Sequence, residues 1–285
     1  MNDFDQKLAH LVREALAEDI GDGDHSTLSA IPAEARGKAV LKIKENGVLA
    51  GVEVAEKIFR MQEPGILFQA SKKDGDPMKV GEQAFTVEAR VHTILQCERL
   101  VLNCMQRMSG IATLTRQYTD ALKPYHTRVL DTRKTTPNFR LLEKEGVRIG
   151  GGINHRFGLY DMIMLKDNHV DFAGGITSAI ERTRSYLKTN QKELKVEIEV
   201  RNLEELEEVL AVGQVDRIML DNFTPELLKE AIARIGGRYE TEASGGITRD
   251  TLRAFAETGV DFISVGALTH SFRSLDLSLK AVFHS

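Results

Sequence analysis

Four cations in this chain have the types and spacing to hold a small anion. Arg133 and Lys134 sit in Asp131-Thr132-Arg133-Lys134-Thr135-Thr136, Arg156 ends Gly150-Gly151-Gly152-Ile153-Asn154-His155-Arg156, and Lys166 opens Lys166-Asp167-Asn168-His169. His155 and His169 lie beside them. Residues 128 to 166 hold eight lysines and arginines against four acids, a local balance of +4 in a chain whose formal net charge is −4. Arginine recognises carboxylate and phosphate with two parallel hydrogen bonds, so this clustering suits a polyanionic small molecule. Glu199 and Asp221 are the carboxylates of interest. They could hold Mg²⁺ with waters and substrate phosphates, bind sugar hydroxyls, or pair with Lys134 or Lys166. Glu197 shares a strand face with Glu199, so spacing alone does not choose between them. Ser244-Gly245-Gly246-Ile247-Thr248 precedes a helix predicted to begin near Arg249, and Val265-Gly266-Ala267 repeats a glycine turn. Backbone amides at such places bind anions. No Cys/His spacing suits zinc, and no nucleophile elbow is present.

The elements that must position these residues can be read from the hydrophobic pattern. From residue 128 onward, short β-branched runs alternate with helices. The predicted strands are Arg128–Arg133, Met162–Lys166, Val196–Val200, Arg217–Asp221, Tyr239–Ala243 and Phe262–Gly266. The predicted helices are Ile176–Leu187, Leu203–Val212, Pro225–Ile235 and Arg249–Thr258. This alternation predicts a parallel sheet, in a closed or nearly closed β/α barrel. Barrel sites lie at the C-terminal strand ends, where the cations, carboxylates and glycine turns fall, and phosphate sites commonly follow the last strands. Arg140, Lys144 and Arg148 fall on an intervening helical stretch and are expected to be solvated.

The first part reads differently. Phe4, Leu8, Leu11, Val12, Ala15 and Leu16 predict an amphipathic helix, ending in the acidic, turn-forming run Glu18–Thr27. Residues 37–51 predict a hairpin turning at Asn46-Gly47. A helix over Val52–Met61 and strands over Ile66–Ala70 and Ala84–Ala89 complete an α+β region with antiparallel strands. A long helix from Thr93 to Tyr118 joins it to the barrel.

Composition sets outer limits. A chain of 285 residues suits about two domains, or one barrel with an extension. Hydrophobic content of 42% and charged content of 28% are globular values and exclude wholesale disorder. The charge gives no reason to expect nucleic acid. No apolar run approaches the ~20 residues of a membrane span, and the first residues do not read as a secretory signal. On a helix, Cys97 and Cys104 would stand about 10 Å apart along the axis, too far for a disulfide. A reduced, cytoplasmic protein is expected.

Taken together, the motifs resemble the quinolinate phosphoribosyltransferases, the carboxylating nicotinate-nucleotide pyrophosphorylases. The resemblance runs through Glu18–Thr27, Glu98–Thr113, Asp131–Pro137, Lys144–Asn168, Glu197–Val200, Leu220–Phe223, Glu242–Thr248 and Gly259–Ser271, in the family's order. It implies an N-terminal α/β sandwich domain (1–112) and a C-terminal open α/β barrel of the type II phosphoribosyltransferase kind (113–271). The tail 272–285 is expected to pack back on the first domain. It implies a pentosyltransferase of de novo NAD biosynthesis. Arg99 (from a partner subunit), Thr132, Arg133, His155, Arg156 and Lys166 would hold quinolinate. Lys134, Glu199, Asp221, Ser244, Gly245, Gly246, Val265, Gly266, Ala267 and His270 would hold phosphoribosyl pyrophosphate. Glu199 and Asp221 would bind Mg²⁺, directly or through water, and Lys134, Lys166, Glu199 and Asp221 would be catalytic. It also implies a homodimer sharing its active sites, or a hexamer. Competing readings are a relative with the same frame and another substrate, a Schiff-base aldolase using Lys166, and a non-catalytic scaffold. The arginine cluster argues against the first two, and the paired carboxylates and glycine turns against the third.

Overall fold

The computed structural model describes residues 3–282, which form two compact units. The first unit contains the chain up to Arg116, residues 135–151 and the chain from Ala267 onward. The second contains residues 117–134 and 152–266.

In the first unit, helix α1 (Asp3–Ile20) buries Leu8, Val12 and Leu16, one residue per turn on a single face. Helix α2 (His25–Ala30) follows inside the run expected to be a loop. Asp24 caps it, accepting the Thr27 N–H at 3.1 Å and the Thr27 hydroxyl. These bonds hold the Asp24 carboxyl below its usual range. Strands β1 (Arg36–Ile43) and β2 (Gly47–Val48), helix α3 (Val52–Gln62), strands β3 (Leu67–Ala70), β4 (Pro77–Met78) and β5 (Gln83–Arg90), and helix α4 (Val91–Leu122) come next.

The expected hairpin at Asn46-Gly47 does not form. Neither residue takes the positive φ of a type I′ turn. Strand β2 pairs with β4 instead, and the Asn46 Oδ1 accepts the Val80 N–H at 3.0 Å. Gly47 is demanded by space: a Cβ there would lie 2.5 Å from Leu275 Cδ1 and 2.6 Å from Thr113 Oγ1. Strand β1 is central in an antiparallel sheet of order β12-β1-β5-β3, where β12 is Leu277–Val282. Residues 283–285 of the expected tail lie outside the described residues. The core of this unit joins Leu41, Ile43, Phe85 and Val87 of the sheet to Ile58 and Phe59 of α3 and to Val101, Met105 and Met108 of α4. Cys97 and Cys104 are buried on α4 as free thiols, and burial pushes both up to about 12.

Helix α5 (Arg140–Ile149) also belongs to this unit and corrects one expectation. Lys144 is buried rather than solvated, as is its neighbour Glu143. Glu143 accepts from Arg107 Nε at 2.8 Å, and the Arg107 guanidinium lies 5.3 Å and 4.7 Å from the Phe139 and Phe272 ring centres. Arg148 is exposed as expected and pairs with Glu145.

The second unit contains a parallel sheet of order β6-β11-β10-β9-β8-β7, formed by β6 (Arg128–Leu130), β7 (Ile163–Leu165), β8 (Val196–Val200), β9 (Arg217–Asp221), β10 (Glu240–Ser244) and β11 (Phe262–Ser264). Sequence neighbours are neighbours in space except at the step from β6 to β7, the order of a barrel with one opening. Beside that opening, Ile153 bridges to Leu130 in parallel and its N–H donates to the Val129 carbonyl at 2.9 Å. Helices α6 (Asp167–Ala173), α7 (Ile176–Thr189), α8 (Leu203–Val212), α9 (Pro225–Ile235) and α10 (Leu252–Ala256) separate the strands. Asn202 caps α8, with its Oδ1 2.8 Å from the Glu205 N–H, and Thr224 caps α9 ahead of Pro225. The sequence pattern missed α6, which is only seven residues long. Strand β8 is buried throughout: Val196, Ile198 and Val200 point one way and Glu197 and Glu199 the other.

Candidate active site

The site residues of the second unit gather at the C-terminal ends of its strands. Asp131, directly after β6, is fully buried. Its Oδ1 accepts the His155 N–H at 2.8 Å, and its own N–H donates to the Ile153 carbonyl at 3.1 Å. These bonds sew the Gly152–Arg156 segment to β6. Arg156 is half-buried; its Nη1 donates to the Met162 carbonyl at 3.3 Å, and Nη2 stands 3.6 Å from Met164 Sδ. Asp161 accepts the N–H groups of Phe157 at 2.6 Å and Gly158 at 2.8 Å, closing the loop after Arg156. Burial, and then the charge of Arg133, hold the Arg156 guanidinium below its ordinary pKa. The strand ends have therefore brought two like charges together, and a bound dianion would relieve both.

Lys166 leads from β7 into α6. Its N–H donates to His169 Nδ1 at 3.0 Å, so His169 fixes the backbone from which Lys166 extends. Lys166 Nζ lies 3.6 Å from Glu199 Oε2. Burial raises the Glu199 carboxyl above its usual pKa; Lys166 opposes the rise and the charge of Asp221 adds to it. Glu199 and Asp221 thus feel each other across adjacent strand ends. Two neighbouring carboxylates are hard oxygen donors that fit Mg²⁺ sharing its shell with water and phosphate. Asn222 orients the second of them, its Nδ2 donating to Asp221 Oδ2 at 2.6 Å.

His155 lies deeper, with a side chain only 5% exposed. Its Nε2 is 2.9 Å from Glu197 Oε2 and 3.3 Å from Glu242 Oε2, and Arg217 Nη1 donates to Glu242 at 3.2 Å. The other ring nitrogen, Nδ1, accepts the Arg156 N–H at 2.7 Å. It therefore carries no proton, and Nε2 is the nitrogen that donates to the glutamates. Burial opposes charge on this ring, while the two glutamates act the other way and hold the Nε2 proton. Burial and the Glu242 charge push Glu197 up to about 7. Burial also acts on Glu242, but His155 and Arg217 hold its carboxyl below the ordinary value. The His155–Glu197 unit thus retains one extra proton, and with Nδ1 engaged as an acceptor that proton rests on the carboxyl side. The donor atoms of His155, Glu197 and Glu242 lie within 4.8 Å of one another. Arg217 already supplies the counter-charge to Glu242, so the cluster reads as an ionic network rather than a metal site.

The glycine turns are built differently from each other. Gly245 has φ +105°, and a Cβ there would meet Asn222 Oδ1 at 2.2 Å. Gly246 has φ +60° in open space. Helix α10 begins only at Leu252, so the glycines do not form the predicted helix start near Arg249. Thr251 Oγ1 accepts the Thr248 N–H at 3.0 Å and spends those residues on a turn. Two successive glycines at positive φ give this turn a backbone that other residues would adopt only under strain. Gly266 follows buried Val265 and leads straight into helix α11 (Ala267–His270). The Thr132 hydroxyl accepts the N–H of Lys134, which is exposed. Arg99, exposed on α4, belongs to the first unit, as do Ala267 and His270.

Asp131, Asn222, Arg217 and Glu242 escaped the sequence reading as working residues. A signal was available. Val-Glu-Ile-Glu-Val, Arg-Ile-Met-Leu-Asp and Glu-Thr-Glu-Ala-Ser each place charged residues two or four apart, on one face of a strand. Several charges at inward positions of adjoining barrel strands must be paired with each other.

The fold and site define a β/α-barrel protein with cations, carboxylates and glycine turns gathered at its strand ends. The chain belongs to the quinolinate phosphoribosyltransferase family. The family's N-terminal domain matches residues 24–109 and its C-terminal domain residues 111–280. A chloroplastic nicotinate-nucleotide pyrophosphorylase [carboxylating] of Arabidopsis thaliana is 45% identical over 96% of this chain and 82% of its own length. A probable nicotinate-nucleotide pyrophosphorylase [carboxylating] of Synechocystis is 43% identical over 95% of this chain and 91% of its own. Among solved structures, NadC from Streptococcus pyogenes superposes with a TM-score of 0.90 at 42% identity, covering 98% of this chain and 97% of that one.

Proposed function

We infer that this chain is a decarboxylating quinolinate phosphoribosyltransferase. It converts quinolinate and phosphoribosyl pyrophosphate to nicotinate mononucleotide, pyrophosphate and carbon dioxide, a step of de novo NAD biosynthesis. The observation that carries the reading is the approach of the Arg133 charge to Arg156, within a family match that spans both domains. Quinolinate is a planar dicarboxylate, and fixed guanidinium groups match its carboxylates. Arg133, Arg156 and Lys166 hold it, with Thr132 and His155 shaping the wall. Arg99 completes this pocket from the partner subunit of a homodimer; its exposed place on α4 supports that role.

Phosphoribosyl pyrophosphate lies toward Lys134, Glu199, Asp221 and the two glycine turns of the second unit, Ser244–Gly246 and Val265–Gly266. Glu199 and Asp221 would hold Mg²⁺, directly or through water, and the ion would supply positive charge against the pyrophosphate. The quinolinate ring nitrogen attacks C1 of the ribose as the C1–O bond to pyrophosphate breaks. Positive charge builds on the sugar, and the Glu199 and Asp221 carboxylates stabilise it. The arginines align ring and sugar, an orientation effect. Loss of the adjacent carboxylate as carbon dioxide leaves its electron pair on the ring carbon, where the neighbouring positive nitrogen stabilises it until that carbon takes a proton. The two buried free thiols support a reducing compartment, the cytoplasm.

The dicarboxylate requirement tests the reading. Quinolinate is expected to be turned over and nicotinate, which lacks the second carboxylate, to be a poor substrate. Equal use of the two would place the activity elsewhere in phosphoribosyl transfer.

A further inference from the structure

We propose that Glu197, Glu242 and Arg217 are positioning residues for the dicarboxylate pocket, acting through the His155 ring to fix the backbone of Arg156. The proposal rests on the functional reading above. All the links lie within the second unit. Arg217 Nη1 is 3.2 Å from Glu242 Oε2, and the two glutamates receive His155 Nε2 at 2.9 and 3.3 Å. Nδ1 then accepts the Arg156 N–H at 2.7 Å, while Asp131 holds the His155 N–H at 2.8 Å.

The logic is one of tautomer choice. A neutral imidazole has one donor and one acceptor nitrogen. The Oε2 atoms of Glu197 and Glu242 both receive Nε2, which keeps its proton there and leaves Nδ1 a lone pair. That lone pair is what the Arg156 amide needs, and the Arg156 side chain starts from the same backbone. Both ring nitrogens are thereby committed within the protein, so His155 serves the pocket by placing Arg156 rather than by donating to the substrate. Arg217 keeps Glu242 in place from below: its guanidinium is held by Glu240 at 3.0 Å and lies 4.2 Å from the Phe262 ring centre. The arrangement resembles the carboxylate–histidine pairs that orient catalytic and metal-bound imidazoles, here turned on a backbone amide.

The test compares Glu197→Gln, Glu242→Gln and the double variant, read as separate KM values for quinolinate and phosphoribosyl pyrophosphate. Each single variant keeps one carboxylate to receive Nε2. The double variant removes both and lets the other tautomer form. The quinolinate KM is expected to rise less than about threefold in each single variant and about tenfold or more in the double, the order set by one buried hydrogen bond. The phosphoribosyl pyrophosphate KM is expected to stay within about twofold of wild type by the same reasoning. A folded double variant with an unchanged quinolinate KM, or with both KM values raised alike, overturns the proposal. If the double variant does not fold, nitrogen NMR of the His155 ring in the wild-type protein decides: a proton on Nε2 supports the proposal and a proton on Nδ1 overturns it. Wild-type protein that turns over no quinolinate would instead defeat the functional reading, a separate outcome.

Discussion

Arg133 and Arg156 oppose each other, because the charge of Arg133 disfavours that of Arg156. A dianion between them converts that repulsion into charge-assisted hydrogen bonds, each worth about 1.5–3 kcal/mol. Arg133→Ala is therefore expected to raise the quinolinate KM by about 10- to 100-fold, with a smaller effect on phosphoribosyl pyrophosphate. Steady-state kinetics with each substrate varied in turn checks this. Gly245 makes a second prediction. A methyl group there must displace Asn222, which holds Asp221. Gly245→Ala is expected to lower kcat more than it alters quinolinate affinity, measurable in the same assay. The cations at strand ends were legible in the sequence because strand ends are where barrel chemistry sits. The use of His155 was not: its partners Glu197 and Glu242 lie on two other strands, and only sheet closure brings them to one ring.

Among the elements, the barrel strands could be read because each is a short β-branched run between helices with their own caps. The antiparallel part was harder. Asn46-Gly47 has the composition of a tight turn, but the chain uses Gly47 to let Leu275 and Thr113 approach and sends β1 to pair with β5 and the distant β12. Local sequence does not encode a partner more than 200 residues away. Helix α2 shows a finer limit, since one aspartate converted part of an acidic loop into a helix. The capped helices offer a prediction at this scale. Asn202→Ala removes the acceptor for the Glu205 N–H and is expected to cost about 1 kcal/mol of stability, with little change in activity. Urea unfolding at equilibrium measures it.

At the scale of the whole molecule, the charged barrel interior makes stability depend on pH. Glu197 binds its proton more tightly when folded, with a pKa of about 7 against an ordinary 4.5. Its contribution is fully present below pH 4.5 and is lost as pH rises through about 7. The melting temperature is expected to fall across that window, and Glu197→Gln to flatten the fall. The formal net charge of −4 conceals this interior, just as it conceals a +4 stretch devoted to anions. What the molecule does with that stretch is best tested by incubating it with carboxyl-labelled quinolinate, phosphoribosyl pyrophosphate and Mg²⁺. The account predicts that carbon dioxide and pyrophosphate appear in equal amounts and that both depend on the two substrates being present together. Pyrophosphate without carbon dioxide, or no turnover of quinolinate at all, would contradict it.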